Sequence, residues 1–252
     1  KDFTLQFKGT FTFARNKVLE YDEAPGLRPG MKTVGRRLNT FLGYVTNGLY
    51  ENYTDVEESP TSTLGNIAIS PGDIKYVDQP DANGNYDGRI TSDDRVEIGD
   101  PWIPEIVYGF GPSMRWKNWD FSFFFQGQTN VSLIMENFEP FGERSARGVL
   151  AWIADDYWSP DHPNVNAKHP RLTRLTNNHN MQVSTYWLRD ASLLKLKNVE
   201  LGYSYKKARF YISGSNLLTI SPFKHWDPEV GTGAGMQYPT QRIFNLGIQM
   251  SF

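Results

Sequence analysis

The sequence lacks several features that mark common protein classes. There is no cysteine among its 252 residues, which excludes a disulfide framework and a cysteine-ligated metal. No run of about 18 apolar residues occurs, which argues against a transmembrane helix. The net charge is −2, without the basic surplus of a nucleic-acid binder, so no nucleic acid is expected as a partner. Phosphate-loop, dinucleotide-binding and nucleophile-elbow motifs are absent, and no enzyme is expected.

The most frequent pattern in the chain is the alternation of apolar and polar residues with a period of two, which predicts strands. Aromatic residues are plentiful, at 14% of the chain, and many of them lie on the apolar side of this alternation. The pattern predicts six strands, in residues 2–15, 104–117, 118–128, 197–205, 208–216 and 242–252.

The connections between these segments alternate between long and short. The first and third are long (about 15–103 and 130–190), two are tight turns at Lys117-Asn118 and Lys206-Lys207, and the last is of medium length (about 220–239). Outer-membrane barrels combine short periplasmic turns with long extracellular loops, and their strands need about 9–11 residues to cross the bilayer. A soluble carbohydrate-binding β-sandwich is the alternative, with its apolar faces turned inward.

Aromatic residues are predicted to form an interfacial girdle at the level of the tight turns, because such rings prefer the headgroup boundary. The predicted girdle consists of Phe3, Trp116, Trp119, Tyr203, Tyr205 and Phe252. The opposite, polar side of the strands is predicted to line a lumen, with Gln6, Lys8, Arg115, Gln126, Glu200, Arg209 and Gln249.

Several longer segments carry a family resemblance, among them "FARNKVLEYDE" (13–23), "PGDIKYVD" (71–78), "YWLRDASLLKLKNVELGYS" (186–204) and "YPTQRIFNLGIQMSF" (238–252). They resemble the SusC-like (SusC/RagA) family of TonB-dependent outer-membrane transporters, and the likeness spans nearly the whole chain. The resemblance implies an all-β protein, a transmembrane antiparallel β-barrel. This chain would be its C-terminal segment, with about six of 22 strands, and the plug domain and TonB box would lie upstream.

The same resemblance implies a function, a location and partners. It implies import of glycans (oligosaccharides), or alternatively of oligopeptides, across the outer membrane of a Gram-negative bacterium. The expected partners are a SusD-like surface lipoprotein, the TonB complex and outer-membrane lipid. The apolar row of the last strand resembles the signal read by the barrel-assembly machinery; this row comprises Phe244, Leu246, Ile248, Met250 and Phe252.

One polar loop, "DANGNYDGRITSDD" (81–94), resembles a calcium-binding loop of the EF-hand type. Such a loop offers oxygen ligands at alternate positions, a glycine at the sharp turn and an acid at position twelve. The predicted ligands are Asp81, Asn83, Asn85, Asp87, the Arg89 carbonyl and Asp94. A turn rich in asparagine, aspartate and glycine, with no metal, explains the same composition. No cofactor is required, and structural Ca²⁺ is the one metal for which the loop offers a ligand pattern.

The second long connection contains a segment, 145–158, that predicts a short helix. Three of its aromatic residues have two interpretations: Trp152, Tyr157 and Trp158 either face a ligand or pack a small core within the loop itself.

Overall fold

The protein is described by a computed structural model that covers residues 2–136 and 149–251. Strands dominate: β1 Phe3–Phe13, β2 Phe41–Gly43, β3 Thr46–Leu49, β4 Thr61–Ser62, β5 Ile74–Tyr76, β6 Arg89–Ile90, β7 Val96–Ile98, β8 Ile106–Trp116, β9 Trp119–Thr129, β10 Ser132–Ile134, β11 Leu188–Asp190, β12 Leu193–Tyr205, β13 Ala208–Ile220 and β14 Ile243–Met250. The α-helices are α1 Tyr53–Glu58 and α2 Ala151–Asp155, and three 3-10 turns lie at Pro29–Met31, Ser92–Asp94 and Pro228–Val230. Within the described ranges, no helix has the length and apolar character needed to span a membrane.

The six long strands form one antiparallel sheet in the order β1-β8-β9-β12-β13-β14. They correspond to the six segments with period-two alternation, so the sequence prediction of six strands is confirmed. The two tight turns are also as expected. Lys117 and Lys206 occupy their first positions, each with a left-handed φ of 53°.

The register of the sheet places the apolar positions of neighbouring strands side by side. Leu5 is opposite Met114, Met114 is opposite Phe121, and Phe121 is opposite Leu201. Since side chains alternate between the two faces of a strand, these pairs define one continuous apolar face. The polar positions, such as Arg115 opposite Asp120, form the other face.

An irregularity in β12 changes which face its residues occupy. The register shifts between Leu196 and Asn198 against both neighbouring strands. An extra residue in a strand reverses the alternation beyond it. Lys195 and Val199 are four residues apart and would share a face in a regular strand. Because of the irregularity, Lys195 lies on the polar face, opposite Gln126, and Val199 lies on the apolar face, opposite Phe123. Strand β12 also begins at Leu193, four residues before the alternation that predicted it.

The chain divides into two compact units, and each is described by itself. The sheet unit comprises residues 1–15, 100–133 and 189–252, and the loop unit comprises residues 16–99 and 134–188. The loop unit contains the antiparallel pairs β2–β7 and β3–β5 and the parallel pair β4–β6. Its core is formed by buried side chains, among them Leu49, Tyr50, Ile74, Tyr76, Ile90, Ile98 and Ile153. The two longest predicted loops thus contribute most of their residues to a folded unit.

The helix predicted over 145–158 is shorter in the structure. Helix α2 spans Ala151–Asp155, with Ile153 as its buried residue, and residues 145–148 lie outside the described residues.

Candidate functional site

The apolar face of the sheet is exposed. Phe7 is 67% exposed and Leu246 is 85% exposed, and the same face carries many other large exposed side chains. Phe121 and Phe123 are half-buried, and their rings pack against each other along β9 with centroids 5.7 Å apart. Soluble monomers rarely expose contiguous apolar patches larger than a few hundred Å². This face therefore fits a hydrocarbon environment and not the inward-facing layer of a β-sandwich.

The predicted girdle residues occupy one end of the sheet. Phe3, Trp116, Trp119 and Tyr203 are successive cross-strand partners, so they form a single row on the apolar face. The rings of Trp119 and Tyr203 are in contact, with centroids 4.7 Å apart. Tyr205 lies one step further along the same face, next to the tight turn, and Phe252 lies outside the described residues.

The lysines of the two tight turns lie over aromatic rings at the same end of the sheet. The Lys117 ammonium is 5.4 Å from the Trp116 ring centroid, and the Lys206 ammonium is 5.4 Å from the Tyr205 centroid. Cations over aromatic faces are attracted by the ring quadrupole. The turn end of the sheet thus combines aromatic rings with positive charge, which suits a headgroup boundary.

The last strand presents its apolar row on the exposed face. Phe244, Leu246, Ile248 and Met250 lie opposite Gly214, Ile212, Phe210 and Ala208 of β13. The four described residues of the predicted assembly signal therefore form one continuous stripe along β14. Phe252, the fifth, lies outside the described residues.

The polar face carries an ion-pair network near the same tight turns. The Arg209 guanidinium donates from Nε to Asp120 Oδ1 at 3.0 Å, and from Nη2 to Asp120 and to Glu200 Oε1, the latter at 2.5 Å. These residues belong to β13, β9 and β12, so one arginine connects three strands. Glu200 and Arg209 were predicted to line the lumen, and the structure brings them together.

A second ion-pair network holds the β13–β14 connection against the polar face. The Lys195 ammonium, whose side chain is 1% exposed, lies 2.8 Å from Asp227 Oδ2 and 2.6 Å from Glu229 Oε2. Burial, the largest single influence, raises the pKa of both carboxyls, but the hydrogen bonds and positive charges around them, those of Lys195 first, together outweigh burial. Both pKa values therefore lie below the ordinary range. No local pattern in the sequence predicts this contact, because it depends on the β12 bulge and on residues more than 30 positions away.

The predicted calcium loop is organised around an arginine. Arg28 donates from Nη1 to Asp94 Oδ1 at 2.7 Å and from Nη2 to Asp87 Oδ2 at 2.6 Å, and Asp78 Oδ1 lies 3.7 Å from Nη1. Asp94 is fully buried and also accepts hydrogen bonds from the backbone N–H groups of Gln79 and Thr91. The guanidinium thus supplies positive charge among three carboxylates.

Three other predicted ligands, Asp81, Asn83 and Asn85, form a local turn, and Arg89 lies in strand β6. Asp81 Oδ1 accepts hydrogen bonds from the backbone N–H groups of Asn83 and Asn85, and these bonds lower the pKa of Asp81. Burial, and to a lesser degree the nearby carboxylates of Asp94 and Asp87, raise the pKa of Asp78. Throughout the part of the chain that the structure describes, no three histidine, aspartate or glutamate side chains are grouped to hold a metal ion. The structure thus brings Asp87 and Asp94 together, whereas Asp81 forms a separate turn.

The three loop aromatics differ in their environment. Trp158 is buried, and its indole lies directly on Gly72, where an added Cβ would fall 2.2 Å from the ring. Tyr157 pairs with His169 in an isolated β-bridge, and the Trp152 ring lies 6.2 Å from the His169 ring. Trp158 therefore packs within the core of the loop unit, and Trp152 and Tyr157 remain partly exposed around it.

An antiparallel sheet with an exposed apolar face, a charged polar face and tight turns at one end is a segment of the wall of a membrane β-barrel. A chain of the RagAB peptide transporter has the same fold, with a TM-score of 0.73, 23% identity, and coverage of 100% of this chain and 28% of that chain. No protein-family profile matches the sequence.

The curated relatives include TonB-dependent receptors. The chain is 28% identical to TonB-dependent receptor P3 of Formosa agariphila, an alignment that covers 100% of this chain and 27% of the relative. It is 25% identical to the TonB-dependent receptor SusC of Bacteroides thetaiotaomicron, over 100% of this chain and 25% of SusC. The chain is thus homologous over its whole length to TonB-dependent receptors, SusC among them, and it spans about a quarter of the length of these relatives.

Proposed function

We propose that this chain forms part of the barrel wall of a TonB-dependent transporter in the outer membrane of a Gram-negative bacterium. The observation that carries the proposal is the exposed apolar face, which runs across all six long strands of a chain homologous to TonB-dependent receptors. In this proposal the apolar face contacts lipid, and the polar face with Arg209, Asp120 and Glu200 faces the lumen.

The transport itself is active import together with a SusD-like surface lipoprotein. Substrate captured outside the cell enters the barrel when the TonB complex remodels a plug that the rest of the protein would supply. The chain's own contribution is a rigid wall, since Arg209 ties three strands together and Lys195 fixes the β13–β14 connection. No catalytic step is proposed for it.

The proposed substrate is an oligosaccharide, in keeping with the homology to SusC. An oligopeptide is the second candidate, and the fold shared with the RagAB peptide transporter favours it. The two candidates share the same route and differ only in what the loops recognise.

The test is an uptake measurement in the native organism with the gene inactivated. Fluorescent oligosaccharide and oligopeptide pools are supplied separately, and we expect oligosaccharide uptake to be lost and then restored by the intact gene, but only when the TonB complex is functional. Loss of oligopeptide uptake alone would establish the second candidate. Unchanged uptake of both pools, or rescue that is independent of TonB, would contradict the proposed function.

Calcium in the 81–94 loop stays a separate proposal. The ion would need the oxygens of Asp81, Asn83, Asn85, Asp87, Asp94 and the Arg89 carbonyl, and it would have to displace the Arg28 guanidinium from Asp87 and Asp94. A rise in thermal stability with Ca²⁺ and a fall with a chelator, both abolished by Asp87→Asn, would support it. A response to Ca²⁺ that is the same in Asp87→Asn would contradict it.

A further inference from the structure

We propose that an apolar groove on the outer face of the sheet, beside the Lys117 turn, binds one glycerophospholipid, with an acyl chain in the groove and the phosphate on the Lys117 ammonium. This inference rests on the proposed placement in a membrane. It goes beyond general contact with lipid, because it assigns one bound molecule to one place and gives each half of that molecule a partner.

The groove is formed by large side chains from three neighbouring strands. It has a volume of about 390 Å³ and is lined by Phe3 of β1, Met114 and Trp116 of β8, and Trp119 and Phe121 of β9. The register explains the lining, because Phe3, Trp116 and Trp119 form one cross-strand row, and Met114 and Phe121 form the next. All five side chains are apolar or aromatic and none carries a charge, so the groove suits a hydrocarbon chain.

A cation lies at the turn end of this groove. The Lys117 ammonium is 5.4 Å from the centroid of the Trp116 ring, the same ring that lines the groove. In the ranges that the structure describes, Lys117 has no carboxylate within ion-pair distance. The backbone N–H of Lys117 donates to the Asp2 carbonyl at 2.8 Å, which fixes the start of the turn against β1. The ammonium is therefore held near the groove and is available to an anion.

The combination selects an amphiphile with an anion at one end. An ammonium and a phosphate form a strong, charge-assisted hydrogen bond. The predicted level of the tight turns is the headgroup boundary, where phospholipid phosphates lie and acyl chains begin. A glycerophospholipid of the inner leaflet is thus the occupant whose two chemical parts match the groove and the lysine at this depth.

The second tight turn provides a matched control. Lys206 has the same left-handed φ of 53° as Lys117, and its ammonium lies 5.4 Å from the Tyr205 ring, but that turn does not border the groove. Neutralising either lysine removes one positive charge from the same level of the sheet. A general attraction to anionic lipid predicts equal effects, whereas a built lipid site predicts that only Lys117 matters.

The experiment counts retained lipid by native mass spectrometry. The membrane-purified protein is reconstituted in nanodiscs of phosphatidylethanolamine and phosphatidylglycerol, and lipid retention is compared for the wild type, Lys117→Gln and Lys206→Gln. We expect Lys117→Gln to weaken retention of one phospholipid about fivefold, since a lysine near a charged membrane surface contributes about 1 kcal/mol. Lys206→Gln should retain that lipid as the wild type does. Equal retention in both lysine variants would overturn the site.

A second variant tests the groove independently of charge. Met114→Trp fills the groove with a larger apolar side chain on the same face, and we expect it to lose the same lipid while Lys117 is intact. Retention of the lipid by this variant would also overturn the site. Failure of the wild type to enter the bilayer would instead contradict the proposed membrane function, and with it this inference; loss of the lipid with normal insertion and uptake leaves the proposed function standing.

Discussion

The sheet unit and the loop unit place their apolar residues in opposite environments. In the loop unit Ile74 and Ile90 are fully buried, and polar groups such as Asp73 and His179 are enclosed with hydrogen-bond partners. In the sheet unit many large apolar residues of the long strands are exposed on one face, Phe7 and Leu246 among them, and ion pairs lie on the other face. The comparison teaches that one chain treats its apolar residues in two ways: some form a core within the loop unit, and others form an exposed surface for which lipid is the proposed solvent.

The largest expected effect is the loss of stability of the loop unit when Asp73 is replaced by alanine. This fully buried carboxylate accepts hydrogen bonds from Arg171 at 2.7 and 3.0 Å and from the side-chain amides of Asn177 and Asn180, both at 2.9 Å. Asp73→Ala leaves these donors unpaired, which costs about 3 to 5 kcal/mol. Hydrogen exchange of the 66–80 segment should therefore become much faster.

The control for Asp73 is Asp161→Ala, at an exposed position of the same unit. Exposed substitutions change stability by roughly 0.5 kcal/mol or less. If the two units open independently, hydrogen exchange in β8 and β9 of Asp73→Ala stays as in the wild type. Equal exchange rates in Asp73→Ala and Asp161→Ala would show that the carboxylate does not hold the loop core.

The second prediction concerns a charge placed on the exposed apolar face of the sheet. Leu246→Arg puts a charge on the exposed face of β14, which costs about 2 to 4 kcal/mol near the bilayer midplane. The adjacent variant Asn245→Arg puts the same charge on the polar face, and we expect it to be tolerated. The amount of assembled protein in outer-membrane fractions, and its unfolding in lipid vesicles, measure both.

This pair of variants tests whether the apolar face contacts lipid or water. If the face met water, Leu246→Arg would be harmless, because an exposed leucine in water gains nothing from its neighbours. Equal assembly of the two variants would therefore remove the basis of the proposed function.

The difference between the units also explains how much could be predicted from sequence. The sheet repeats a period of two, and its turns are local, so the six strands, the two faces and the row of Phe3, Trp116, Trp119 and Tyr203 follow from neighbouring residues. The bulge at Lys197 is a single-residue event within a regular pattern, and the position of Lys195 could not be derived without it.

In the loop unit, by contrast, the decisive contacts join distant residues. Arg28 reaches Asp87 and Asp94 from 59 and 66 positions away. The spacing of oxygen ligands in the 81–94 loop carries no information about such a partner, so the contact of Arg28 with this loop could not be predicted from the pattern. Packing of Trp158 on Gly72 is likewise a tertiary contact between two segments with no shared periodicity.

The third prediction compares one substitution in both units. Gly72→Ala and Gly127→Ala each place a Cβ 2.2 Å from an aromatic ring, that of Trp158 in the loop unit and that of Tyr108 in the sheet. Trp158 is enclosed in the core, and Gly72 has a left-handed φ of 85°, so the ring cannot move and the backbone is strained as well. Tyr108 is partly exposed on the outer face and can swing outward.

Overpacking typically costs about 1 to 3 kcal/mol, and we expect Gly72→Ala at the upper end of this range and Gly127→Ala at the lower end. Hydrogen exchange of each unit, measured in its own variant, gives the two free energies. A larger effect at Gly127 would mean that lipid confines the outer rings as firmly as a protein core does, and the comparison would have to be revised.

The smallest effect is a pH dependence confined to the loop unit. His179 is fully buried; its Nε2–H donates to the Ile74 carbonyl at 2.7 Å, and Nδ1 lies 3.0 Å from Ser62 Oγ. Burial lowers the pKa of His179, against the opposing influence of the Ile74 carbonyl and Asp73 and together with that of Arg171. The unfolded segment binds a proton near pH 6.5, above the folded pKa, so this stability is present above about pH 6.5 and is lost as the pH falls.

We therefore expect the free energy of opening of the loop unit to be lower at pH 5.5 than at pH 7.5 by up to about 1 kcal/mol, because pH 5.5 lies about one unit below the pKa of the unfolded histidine. The free energy of opening in the sheet should stay constant. His179→Gln should flatten this dependence between the two pH values. The exposed His162, replaced by glutamine, should leave it intact. A pH dependence that survives in His179→Gln would assign the titration to another group, and one shared equally by β8 and β9 would show that the two units do not open independently.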